Sequence, residues 1–109
     1  MGKQSEPLTE SYFYILMCLY AGDNHGYGIM QMTEKLSDGR VKIGSGTMYG
    51  ATSNMLKKGW IAECSDVQGS ERRRMYSLTE IGRRVFLEEY KRISELAESA
   101  ESIINQTKQ

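Results

Sequence analysis

The chain has 109 residues, 39% hydrophobic and 26% charged, which argues for one domain with a modest core, globular rather than disordered. Fourteen basic and fourteen acidic side chains cancel, so total charge marks no polyanion binder. No apolar run approaches the ~20 residues needed to span a bilayer, no apolar leader opens the chain, and Cys18 and Cys64 form neither a metal-ligand spacing nor a CxxC pair. These absences point to a reduced, cytoplasmic protein with no membrane, metal or cofactor.

Thr9 is placed to cap a first helix over residues 9–21, with Leu8, Tyr12, Ile15, Leu16 and Leu19 as its apolar stripe. Phe13, Tyr14, Met17 and Tyr20 make the remaining surface nearly as apolar, so this helix must be buried on more than one side. In so short a chain, part of that burial falls to a second subunit. Cys18 reads as a core filler. A turn over residues 21–26 leads to a second helix reaching about Ser37, with Asp23 or Asn24 as its cap and Asp38-Gly39 as its stop. Tyr27, Ile29, Met30, Met32, Thr33 and Leu36 supply its apolar face. His25 has no second histidine and no carboxylate at ligand spacing, which favours a structural role. Residues 40–43, Arg-Val-Lys-Ile, form a short extended link.

The third helix occupies residues 44–60, with Ser45 as expected N-cap, Lys57 and Lys58 at the negative end of the helix dipole, and Gly59 as terminator. Met48, Ala51, Thr52, Met55 and Leu56 make its inner face. Thr47, Tyr49, Gly50, Ser53, Asn54 and Lys57 make an outer face of hydroxyls, an amide and a cation, groups suited to phosphates and base edges. A strand over residues 60–67, with Ile61 inward, a turn at Gln68-Gly-Ser-Glu and a return strand over 72–78 form a hairpin. The return strand begins with Arg72-Arg73-Arg74, of which alternation turns at least one back toward a carboxylate. Thr79 caps a last helix to about Asn105, roughly 40 Å long at about 1.5 Å per residue. Phe86, Tyr90, Ile93, Ala97, Ala100 and Ile104 recur along it at spacings of 4, 3, 4, 3 and 4. An apolar seam that outruns its own domain implies a partner, most simply a second copy of the chain.

Charge is unevenly spread. Residues 1–39 carry a net −3, residues 40–84 a net +5 and residues 85–109 a net −2, so a cationic island lies between acidic flanks. Three helices, a two-stranded β wing and a long C-terminal helix make a mainly α (α+β) fold, a winged helix-turn-helix at residues 1–78. Residues 79–109 form a dimerisation helix packed with the N-terminal helix and not independent of it. In that architecture the third helix enters the major groove and the wing follows the phosphates.

The chain resembles the PadR family of transcriptional regulators, in its short form. The matching stretches are Leu8-Thr9-Glu10, His25-Gly26-Tyr27-Gly28-Ile29, Gly46-Thr47-Met48-Tyr49-Gly50-Ala51, Leu56-Lys57-Lys58-Gly59-Trp60-Ile61 and residues 72–82. Met75 and Trp60 depart from it, standing where the family usually has an aromatic residue and a Leu or Ile. The resemblance implies a homodimeric repressor on an inverted-repeat operator, with Tyr49 touching DNA beside Thr47, and Arg72 and Arg73 meeting the backbone.

The expected DNA-binding set is therefore Ser45, Thr47, Tyr49, Ser53 and Asn54, with Lys42, Lys57, Arg72 and Arg73 on phosphates. The dimerisation set is Tyr12, Phe13, Leu16, Phe86, Tyr90, Ile93, Ala97, Ala100 and Ile104. Tyr12, Phe13 and Tyr14 would line a cavity for a small aromatic or lipophilic effector, or simply form the dimer core. An enzyme is not expected, since no nucleophile–base pair, phosphate loop or metal cluster is present. The rival reading is a winged-helix module that binds protein rather than double-stranded DNA.

Overall fold

The computed structural model describes residues 6–68 and 71–107, with the backbone alone for 65–68 and 71–73. The elements run α1 (Glu10–Ala21), β1 (Asn24–His25), α2 (Gly26–Leu36), α3 (Ser45–Lys58), β2 (Ile61–Gln68), β3 (Glu71–Leu78) and α4 (Glu80–Thr107). Thr9 caps α1 as expected, its hydroxyl accepting the Tyr12 amide at 3.2 Å. The cap of α2 differs from expectation. His25, not Asp23 or Asn24, fills it, and its Nδ1 accepts the Gly28 amide at 3.1 Å. Asn24 Oδ1 instead accepts the His25 amide, and the two residues form a short strand.

That strand enlarges the hairpin. The sheet is three-stranded and antiparallel in the order β1-β3-β2, with Asn24 opposite Tyr76 and His25 opposite Met75. Two residues give no alternation to read, so the added strand had no sequence signature. The hairpin is present as expected, paired from Ile61 opposite Leu78 to Gln68 opposite Glu71, so Gln68 and Glu71, expected in the turn, belong to the strands. Its turn residues Gly69 and Ser70 lie outside the described residues.

Ile15, Leu16, Cys18 and Leu19 of α1, Ile29 of α2, Met48, Ala51 and Met55 of α3, Ile61, Tyr76 and Phe86 form the core, closed by Ile43 from the link. Cys18 is fully buried, its thiol 3.6 Å from the Thr33 hydroxyl, and burial pushes its pKa up, which suits a filler and not a reactive thiolate. On α2 only Ile29 and Thr33 are buried, one turn apart; Tyr27 and Leu36, expected on the apolar face, are exposed. The helix stops as expected, at Asp38 and Gly39, both with positive φ.

The junction of α3, β2 and α4 is tightly tied. Gly59 takes the left-handed conformation at φ 78° and ends α3. The Thr79 hydroxyl lies 2.6 Å from the Gly59 carbonyl and 2.9 Å from that of Trp60, and it accepts the Gly82 amide. Gly82 presses its bare α-carbon on the Trp60 carbonyl, where a Cβ would collide. From there α4 runs for 28 residues, about 42 Å at 1.5 Å per residue. Only its first third is anchored. Phe86 stacks on Phe13 with ring centroids 5.1 Å apart, and Glu89 accepts the Leu8 amide at 2.9 Å. Residues 94–107 are all exposed. The radius of gyration is 16.3 Å, against about 13 Å for a compact chain of this length.

Candidate nucleic-acid interface

Helix α3 divides as its sequence predicts. Met48, Ala51, Thr52 and Met55 face the core, while Ser45, Thr47, Tyr49, Gly50, Ser53 and Lys57 face outward. Tyr49 is 68% exposed. The cap is a correction: Gly44 is the N-cap, with no side-chain hydrogen bond, and Ser45 is the first helical residue. The Ser45 hydroxyl is thus not committed to capping. Asn54 is half-buried and differs from its outward neighbours, its Nδ2 donating to the Tyr12 hydroxyl of α1 at 3.1 Å.

Gly46 and Gly50 lie one turn apart on the outer face, and a Cβ at either would meet nothing within 4 Å. The fold itself therefore gives no reason for two glycines, each costing a helix interior about 0.5–1 kcal/mol relative to alanine.

Beside α3 stands the wing root. Arg74 forms a double hydrogen bond with Glu63 on β2, 3.0 Å at each contact, and is the arginine expected to turn back. The guanidinium holds the Glu63 carboxyl below the ordinary carboxylate range, and the carboxylate in turn raises Arg74. Arg72 and Arg73 stand opposite Val67 and Asp66 on successive positions of β3; their side chains lie outside the described ones. Lys42 is exposed, with Glu34 3.9 Å away, and Lys57 is exposed at the C-terminal end of α3. Lys58 rests its ammonium 5.4 Å from the Trp60 ring centre.

The residues expected at a dimer interface separate into two groups. Leu16 and Phe86 are already covered within the chain, and Phe13 packs on Phe86. Tyr90 and Ile104 are each 57% exposed, Ala97 and Ala100 are exposed, and Ile93 is half-buried. Leu96 and Ile103, which the heptad reading left out, are also exposed and broaden the apolar face. Of the aromatic triplet, Tyr12 is hydrogen-bonded to Asn54, Phe13 packs on Phe86, and Tyr14 lies near the Arg40 guanidinium, which Glu10 holds. Among the described residues no group of three or more His, Cys, Asp or Glu could hold a metal, and no helix is long and apolar enough to cross a membrane.

Several solved structures share this architecture. A transcriptional regulator from Clostridium thermocellum is 26% identical, with 90% of this chain and 92% of that one covered at a TM-score of 0.68. A PadR family transcription regulator from Clostridium difficile is 22% identical, with 88% and 99% covered and a TM-score of 0.75. PadR of Bacillus subtilis, solved in complex with operator DNA, is 21% identical, with 76% of this chain and 47% of that one covered and a TM-score of 0.68. No curated protein matches in sequence. The model of the transcriptional regulator PadR-like family matches residues 15–88, from the middle of α1 through the sheet into α4. With the match covering most of the chain and the fold agreeing throughout, this protein belongs to the PadR-like family of transcriptional regulators, not to a family of enzymes.

Proposed function

We propose that this regulator binds double-stranded DNA as a homodimer, places α3 in the major groove of each half of an inverted-repeat operator, and represses the gene it covers. The observation that carries the reading is the outer face of α3. It exposes Tyr49, Thr47, Ser45 and Ser53 beside two glycines that the fold does not require. Bare α-carbons at 46 and 50 let an external backbone come within van der Waals distance of the helix, which a methyl group would prevent. Lys42, Lys57, Arg72 and Arg73 supply phosphate contacts around it. Asn54 spends one amide hydrogen on Tyr12, tying α3 to α1, and keeps its Oδ1 and second N–H for the DNA.

The exposed seam of α4 supports the homodimer, with residues 1–78 as reading domain and 79–109 as the helix that joins two copies. An effector has narrower support. Phe13 is engaged in the core, so a small aromatic ligand would act on Tyr12 and Tyr14, and through Tyr12 on α3.

The test is a gel shift and DNase footprint on DNA upstream of the protein's own coding region. Wild type is expected to protect two half-sites about one helical turn apart, in a salt-dependent manner. Tyr49→Ala is expected to lower affinity with unchanged folding. Gly50→Ala separates binding from folding most sharply: it should stabilise the helix by up to about 1 kcal/mol while weakening DNA binding. Binding unaffected by both substitutions would sink the assignment of the contacts to α3, and wild-type protein that binds no DNA would favour the protein-binding alternative.

A further inference from the structure

A cleft of about 720 Å³ opens between the first turns of α2 and α3 and strand β3. Tyr27, Ser45, Tyr49 and Arg74 stand around it, over a floor that includes Met48 and Tyr76, and none of its lining residues is acidic. The two helix starts lie close there, with room for no more than a methyl group between Gly26 and Met48 Cγ. Tyr27 follows Gly26 directly and is 64% exposed, nearly as much as Tyr49. Nothing in the core explains it, and it lies off the α4 seam.

Its hydroxyl already accepts one hydrogen bond, which leaves its proton to donate. Gln31, one turn along α2, donates Nε2–H to the Tyr27 oxygen at 3.3 Å. Among the described residues no acceptor takes the phenolic proton. Tyr27 is thus presented as a hydrogen-bond donor to something outside the chain. A phosphodiester oxygen is charged, carries no proton of its own and accepts from tyrosine. In a helix-turn-helix the helix ahead of the reading helix crosses the DNA backbone rather than the base edges.

We propose that Tyr27 donates to a backbone phosphate of the DNA strand passing across this cleft, a second tyrosine contact beside Tyr49 that positions the reading helix without reading sequence. The proposal rests on the DNA-binding reading above. Tyr27→Phe removes only the hydroxyl, and its binding is measured by fluorescence anisotropy on two duplexes of equal length, the footprinted site and an unrelated sequence. The expected result is a loss of about three- to tenfold on both duplexes, with an unchanged salt slope because a neutral donor releases no counterion. Thermal unfolding should match wild type. Gln31→Ala, which removes the orienting amide, should give a smaller loss in the same direction. Wild-type affinity of Tyr27→Phe on both duplexes overturns the proposal, and a loss confined to the footprinted site overturns the phosphate assignment by making the contact one to a base. Wild-type protein that binds neither duplex overturns the DNA reading itself and this proposal with it.

Discussion

A methyl group at position 82 would overlap the Trp60 carbonyl oxygen and come within 2.9 Å of Leu78 Cδ1, and the backbone it would strike is itself held by Thr79. Gly82→Ala is therefore expected to cost about 1–3 kcal/mol in urea unfolding, because a clash with a tied backbone cannot relax as one with a side-chain end can. Glu89 acts at the same scale through charge. Its carboxylate takes two hydrogen bonds from Arg92, at 3.0 and 2.8 Å, and one from the Leu8 amide, and only 8% of its surface is exposed. Arg92 does most to hold its pKa below the usual 4.5, against the opposing effect of burial. Because the folded-state pKa is the lower one, Glu89 stabilises the fold above the unfolded value, and that contribution drains away as pH falls below about 4.5. Glu89→Gln should flatten the acid limb of a stability–pH curve below the ordinary carboxylate pKa and leave the neutral-to-alkaline limb parallel to wild type.

At the scale of elements, periodicity and capping chemistry made most of the fold legible. The four helices, the existence of the hairpin and the left-handed end of α3 at Gly59 all follow from local pattern. What escaped were features that depend on a distant neighbour. β1 exists because Asn24 and His25 meet β3, some 50 residues later, and His25 caps α2 because that pairing sets its backbone. The same limit applies to the interface. The outward face of α3 was readable, but a helical wheel cannot tell that Asn54 turns to Tyr12, or that Tyr27 leaves the apolar face of α2. Asn54 and Tyr12 make a test of how α1 and α3 are joined. Tyr12→Phe strands a half-buried amide, so it should lower stability by about 0.5–1.5 kcal/mol. If the hydrogen bond also orients α3, DNA affinity should fall as well, by less than in Tyr49→Ala; affinity equal to wild type would mean that packing alone sets the helix.

For the whole molecule the governing feature is the exposed distal half of α4. Ile93, Leu96, Ala97, Ala100, Ile103 and Ile104 share one broad face there, and Leu96, Ile103 and Ile104 are each more than half exposed. Leu96→Asp combined with Ile103→Asp is expected to yield a folded monomer by sedimentation equilibrium. If the protein binds as the proposed homodimer, its affinity for a two-half-site duplex should fall by ~10²-fold or more, since the second half-site loses its tethered partner. A dimer unchanged in that variant would place the subunit contact elsewhere. The clamp of Thr79 and Gly82 on the Gly59 and Trp60 carbonyls has its consequence here. It ties the foot of α4 to the end of α3 and the root of the hairpin, so a change in the direction of α4 is passed to both. Over ~40 Å, a tilt of about 5° at the far seam displaces the near end by roughly 3–4 Å, about the rise of one base pair. In the proposed dimer, substitutions among the small residues Ala97 and Ala100 would then retune the distance between half-sites that the two copies prefer, while leaving every group proposed to meet the DNA unchanged.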